Sequence, residues 1–280
     1  MLFRRLFLCA LLAGLCAGLS DSLAQRLQVI PIIAAAEAFE SALEARDQAA
    51  GRSGQPSGPT LQQSHQHDAG APSHVHDEEA WKPQEGLERS FWTLVANTLG
   101  STGYALLLIP AFAWWDRQRA GAAASLRTGL LWGAAGWMCL FLWPALGLRP
   151  ELPGEAASAL AARQAWWLLA VLCAVSGLAL LALLRGRVRW LGLPVLMLPF
   201  VIGAPHIHEP AFAAFSAAEA GQLEALKSQF FTATALANAV QWLALGACAG
   251  WLVPRWLRPL LARQEDDRAS ANSSASGWRA

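Results

Sequence analysis

Charge is what this chain has least of: Asp, Glu, Lys and Arg make up 15% of its 280 residues, while 55% are apolar. A water-soluble domain carries about a quarter charged residues. The shortfall excludes an ordinary soluble globule and points to lipid as the principal solvent. A net charge of +1 provides no global field to gather nucleic acid. The five cysteines (Cys9, Cys16, Cys139, Cys173, Cys248) all lie inside apolar runs and none is in a loop. They read as small buried hydrophobes rather than as a disulfide framework or thiolate site. No G-x-x-x-x-G-K-[ST] stretch is present, which excludes nucleotide hydrolysis through a P-loop. Histidine is scarce too. All six fall in H-x-H pairs: His65/His67, His74/His76 and His206/His208.

The apolar runs predict an all-α, polytopic membrane bundle, since a spanning helix needs about 20 mostly apolar residues. Clear runs cover 6–33, 91–115, 126–146, 165–184 and 230–253. A sixth, 188–203, is shorter and carries Pro194 and Pro199. It reads as a kinked span, because neighbours in a bundle can compensate the lost donors. The count becomes five if the proline-rich run is re-entrant. It is also five if "MLFRRLFLCALLAGLCAGL" is a cleaved signal peptide. A retained first span is expected, because apolar residues resume through "LQVIPIIAAAEAF" without a clean A-x-A site.

Arginine sets the orientation. With six spans and the N-terminus inside, the inner segments hold Arg4, Arg5, Arg117, Arg119, Arg127, Arg185, Arg187, Arg189, Arg255, Arg258 and Arg263. The short outer loops hold Arg149, Arg163 and Lys227, so the count is eleven against three. This positive-inside pattern puts both termini on the cytoplasmic side of the membrane. Trp114, Trp115, Trp166, Trp167, Trp190, Trp251 and Trp256 cluster at the predicted span ends, as interfacial aromatics do. The membrane domain is expected over 1–255. Within it, a His/Asp/Pro/Gly-rich outer loop, 46–85, is expected to be disordered, as is a cytoplasmic tail, 256–280.

Every histidine then falls on the outer side, in loops 34–90 and 204–229. Two residues apart, imidazoles share a face in extended chain but not in a helix. Pro72, Pro205 and Pro210 favour extension. Two imidazoles on one face can bind a divalent first-row metal. Asp68, Asp77, Glu78 and Glu209 adjoin the pairs and add favourable charge. The candidate metal ligands are therefore His65, His67, His74 and His76 in the loop, and His206 and His208 where the kinked span meets the outer surface. Glu37, Glu40 and Glu44 recur on one edge of an amphipathic helix after the first span. Glu37 and Glu40 are expected to join His206 at the mouth of a cation path. Inside the spans, Asn97 and Ser101 stand at i, i+4, and Asn238 and Gln241 at i, i+3. They either line a path or serve as interhelical hydrogen-bond glue.

Over roughly 1–255 the chain resembles the CbtA family of predicted cobalt transporter subunits. The resemblance runs through "LQVIPIIAAAEAFE", "EEAWKPQEGLERSFWTLVANTLGSTGYALLL", "PALGLRPELPG", "LAARQAWWLL", "GAPHIHEP" and "FTATALANAVQWLALGACAGWL". It implies five or six spans, a His-rich outer loop and cobalt uptake for cobalamin synthesis. It also implies a small one-span, His-containing partner of the CbtB type. The family's motif positions fall on Glu37, Glu40, Asn97, Arg163, Gln164, His206 and Asn238. Where the family continues "GAPH" with proline, this chain has Ile207 and His208.

The expectation is a non-enzymatic membrane subunit that captures Co²⁺ (or Ni²⁺ or Zn²⁺) outside and passes it inward. It would hold no tightly bound cofactor, bind no nucleic acid, and work in the bilayer with its partner, and a homo-oligomer is an added option. A non-transporting metal receptor or assembly scaffold is the alternative reading. A haem protein or other membrane enzyme is third, because no histidine lies within a span and no H-E-x-x-H stretch exists.

Overall fold

A computed structural model describes residues 2–53, 86–119, 123–207 and 210–263. Its elements are α1 (Leu2–Ala24), α2 (Ile30–Ser53), α3 (Leu87–Gln118), α4 (Leu126–Trp137), α5 (Trp143–Ala145), α6 (Leu160–Leu183), α7 (Gly192–Ile202) and α8 (Ala217–Leu252). A π turn at Gln25–Val29 joins α1 to α2 without a break, and another at Val253–Leu257 continues α8. Met138–Leu142 forms a third, between α4 and α5. Among the described residues, five helices are long and apolar enough to cross a membrane. This is a polytopic helical bundle.

Small residues decide how the central helices meet. Gly14 and Gly18 of α1 lie against Thr102 and Thr98 of α3, where an added Cβ would fall about 2.5 Å from each threonine Cα. Gly129 and Gly133 of α4 face Gly246 and Gly250 of α8, and a Cβ on Gly129 would stand 2.3 Å from the Gly246 carbonyl. Both are small-xxx-small contacts, which let helix backbones approach where lipid offers no hydrophobic drive. The central core closes on Cys9, Ala10, Ala13 and Ala17 of α1 with Ile109, Phe112, Leu245 and Ala249. The first apolar segment is thus an integral wall of the bundle.

The proline-rich run is not among the five long helices. It is a 3₁₀ turn, Gly186–Leu191, followed by the 11-residue α7. It nevertheless runs back along the whole of α6. Gly192 meets Gly177 at one end, Trp166 Nε1 donates to the Pro199 carbonyl midway (3.2 Å), and Ser158 Oγ reaches the Pro205 carbonyl at the other (3.5 Å). Pro194 occupies the first turn, where its missing N–H costs nothing. The indoles of Trp166 and Trp143 donate to the Pro199 and Leu196 carbonyls (3.2 and 3.1 Å) and tie α7 to the neighbouring elements. Trp166 is therefore a buried structural donor rather than an interfacial anchor, whereas Trp114, Trp167, Trp190 and Trp251 are exposed.

This return leaves the chain's two described ends together. Arg5 Nη1 donates to the Trp256 carbonyl (3.4 Å), and Arg258 grips Asp116 at the end of α3. The arginine-rich segments gather at that end.

Two boundaries differ from expectation. The outer loop was expected to begin at 46, but α2 continues to Ser53. Good helix formers fill its last turns, and Arg46 is anchored to Glu219 at 2.7 Å. The tail was expected from 256, but helix persists to Arg263, because Leu257 is fully buried in the core and Leu261 packs on it. The remainder of both segments lies outside the described residues.

Candidate functional site

Opposite the arginine-rich end, the loop between α5 and α6 meets the loop between α7 and α8. Gly203, with φ of 88°, ends α7 and turns the chain into "APHIHEP". Ala156 N then donates to the Ala211 carbonyl (2.8 Å) and ties the two loops together. Between them is a pocket of about 340 Å³ whose polar lining comes from Arg149, Glu151, Glu155, Ser158, His206 and Lys227. Its acids are already answered. Glu151 pairs with Arg163 at 2.7 Å, and Glu155 takes Lys227 and the Leu152 N–H. Burial pushes the Glu151 carboxyl above its ordinary value. Arg163 pulls it down, and the neighbouring Glu155 adds to the rise.

His206 lines this pocket with Glu151 and Glu155, two acids that the search for H-x-H pairs passed over. It does not meet Glu37 and Glu40 there. Glu37 is clamped by Arg89 through two hydrogen bonds, 2.7 and 3.2 Å, and Glu40 is half-buried on the same helix. Among the described residues, no three His, Cys, Asp or Glu side chains gather as one metal cluster. His65, His67, His74, His76 and His208 lie outside the described residues.

Asn97, Ser101 and Gln241 make hydrogen bonds between helices where α1, α3 and α8 meet, whereas Asn238 bonds within its own helix. Gln241 Nε2 donates to Ser101 Oγ at 2.8 Å, and both residues are buried. Asn97 Nδ2 donates to Ser22 Oγ and Gln25 Oε1, each at 3.1 Å. Gln25 Nε2 in turn donates to Asp21 Oδ2 at 3.0 Å. Asn238 donates to the Thr234 carbonyl of its own helix (3.3 Å). On α8, Thr234, Asn238 and Gln241 form an i, i+4, i+7 stripe; on α3, Asn97, Ser101 and Tyr104 form another. Tyr104 packs at a tilt against Trp242, with ring centroids 5.0 Å apart.

Sequence reasoning found Asn97, Ser101, Asn238 and Gln241 but missed Asp21, which is 3% exposed. The signal was present: Asp21 is the one acidic residue within the 6–33 apolar run. The π turn begins four residues later, at Gln25. It widens the helix where the seam needs a side chain, and π turns recur at functional sites.

Comparison with known families gives one relevant finding. A family model described as "Probable cobalt transporter subunit (CbtA)" matches residues 3–254. Comparison with curated proteins and with solved structures finds no match to either.

Proposed function

We propose, because the chain belongs to the CbtA family of probable cobalt transporter subunits, that it takes up a divalent transition-metal ion, Co²⁺ foremost, for cobalamin synthesis. The reading puts it in a bacterial inner membrane, beside a small His-bearing CbtB-type subunit. The positive-inside rule turns the His206 pocket outward. The observation that carries the reading is the polar seam. Asn97 bonds α1, and Gln241 of α8 bonds Ser101 of α3, inside an otherwise apolar bundle; Asn238 stands on the same stripe of α8 as Gln241.

Capture and passage then use different chemistry. Imidazole binds first-row metals well, so the outer histidines concentrate the ion and His206 presents it. Glu151 and Glu155 are available to a metal only by exchanging their present cations, Arg163 and Lys227. Amide and hydroxyl oxygens hold such ions more weakly, which suits steps that must release them. The driving force comes from the membrane potential, a gradient or the partner.

Radiolabelled cobalt uptake tests the reading in cells expressing the chain with its partner. Wild type is expected to accumulate the metal, and the His206→Ala/His208→Ala variant is expected to lose most of that uptake. Competition by unlabelled Ni²⁺ and Zn²⁺ ranks the metals. Metal binding without accumulation by wild type would overturn transport and leave a receptor or scaffold. Equal uptake by both proteins would remove His206 from the path.

A further inference from the structure

Away from the His206 pocket, three charged pairs stand closed, and a fourth charged group differs from them. Arg46 meets Glu219, Arg89 meets Glu37, and Asp116 meets Arg258. Asp21 is the fourth. Its Oδ2 accepts from Gln25, while its Oδ1, buried, has no partner. A carboxylate in low-dielectric surroundings without a counter-charge is costly. Ionisable groups retained inside a span mark ion paths more than they serve packing.

A second observation leads to Asp21: Asn97 of α3 donates to Gln25 Oε1, and Gln25 donates on to Asp21 Oδ2. Among the described residues, the one other buried side-chain polar atom without a partner is Thr234 Oγ1. α1 and α8 run antiparallel, pinned by Arg5 on Trp256 at one end and Arg46 of α2 on Glu219 at the other. That register sets Asp21 near the level of Gln241, with Thr234 about two turns further out. Tyr104 of α3 packs at a tilt against Trp242, with ring centroids 5.0 Å apart. Asp21 Oδ1 is thus the unanswered carboxylate oxygen of the seam, and Thr234 Oγ1 lies open further along α8.

We infer that Asp21 is the cation-binding carboxylate of the seam, with Oδ1 holding the divalent ion in passage among the neutral polar groups of the seam. The inference rests on the uptake reading and adds to it a charged station inside the bundle. A single carboxylate among neutral oxygens attracts a divalent ion yet lets it go, as conduction requires.

Asp21→Asn keeps the acceptor for Gln25 and removes the charge. Two measurements on the full chain test it. In the uptake assay, Asp21→Asn is expected to lose at least about tenfold in rate. It should keep the wild-type melting temperature, because no ion pair is broken. The second measurement does not depend on transport. In a chain with all six histidines changed to alanine, millimolar Co²⁺ is expected to raise the melting temperature by a few degrees through ligation of the folded state. Adding Asp21→Asn is expected to abolish that rise. An unchanged rise with Asp21→Asn, or none without it, would overturn the site even if wild-type uptake stands. Conversely, absent uptake with an Asp21-dependent rise would overturn transport and leave the site.

Discussion

Asp116 and Asp21 are each 3% exposed on helices that meet α8, yet they occupy opposite electrostatic situations. Asp116 ends α3 at the arginine-rich face. Arg258 binds it through two hydrogen bonds, 3.0 and 3.1 Å, and the Ala123 and Ala124 N–H groups donate to Oδ1 at 3.0 and 2.6 Å. Arg258 also donates to the Ala124 carbonyl, so one ion pair fixes the turn into α4. Asp21 has one neutral donor and one bare oxygen. The first carboxylate is part of the frame; the second is left open, and the fold gains nothing from its charge. A chain that can answer one buried acid so fully has the means to answer the other. That it does not is the physical reason to look for a ligand at Asp21.

The largest effect expected from breaking this comparison is at Asp116. Asp116→Ala strands Arg258 and releases two backbone donors, a loss of about 3 kcal/mol in stability for a broken buried pair. Asp21→Asn, by contrast, should leave stability near wild type. Unfolding of the purified protein in mixed detergent micelles measures both. Equal losses at the two positions would erase the distinction.

A smaller effect separates path from glue. Ser101 and Gln241 satisfy each other, like Asp116 and Arg258, but they sit in the seam beside Asp21. Interhelical hydrogen bonds in membranes are worth about 0.6 kcal/mol on average. The Ser101→Ala/Gln241→Leu double variant is therefore expected to cost about 1 kcal/mol or less in the same unfolding assay. If the pair lines the path, uptake falls several-fold at that small cost in stability. If uptake is unchanged, the pair only packs α3 on α8.

The same contrast shows what the sequence made legible. Apolar run length and arginine placement were enough for the bundle and for the return of the proline-rich segment, since both follow from local composition and from lipid as solvent. Asn97, Ser101, Asn238 and Gln241 were legible because polar residues stand out in apolar runs. Asp21 stood out equally, but its meaning depends on whether a partner reaches it, and partners come from other helices. Glu151 and Glu155 were hidden for a related reason. They join His206 only when the α5–α6 loop folds against the segment after α7, and no periodicity links positions so far apart. The expected union of Glu37 with His206 used proximity to the outer face alone, while Arg89, 52 residues further on, already holds Glu37.

Glu151 stands between the two extremes and offers the smallest, most directional effect. It has a cation, Arg163, at 2.7 Å, yet burial still raises its carboxyl above the ordinary value. The folded state therefore holds this proton more tightly than the unfolded chain does. Its stabilising contribution is complete below the unfolded value and is lost as pH rises through the raised one. Across that window, just above the ordinary carboxylate range, the melting temperature of wild type should fall slightly relative to Glu151→Gln. Arg163→Gln removes the opposing pull, raises Glu151 further and should steepen and extend that fall toward higher pH. Melting curves of the three proteins at closely spaced pH values measure it. A wild-type curve parallel to that of Glu151→Gln would mean that Arg163 answers Glu151 as fully as Arg258 answers Asp116, and that the pocket, too, belongs to the frame.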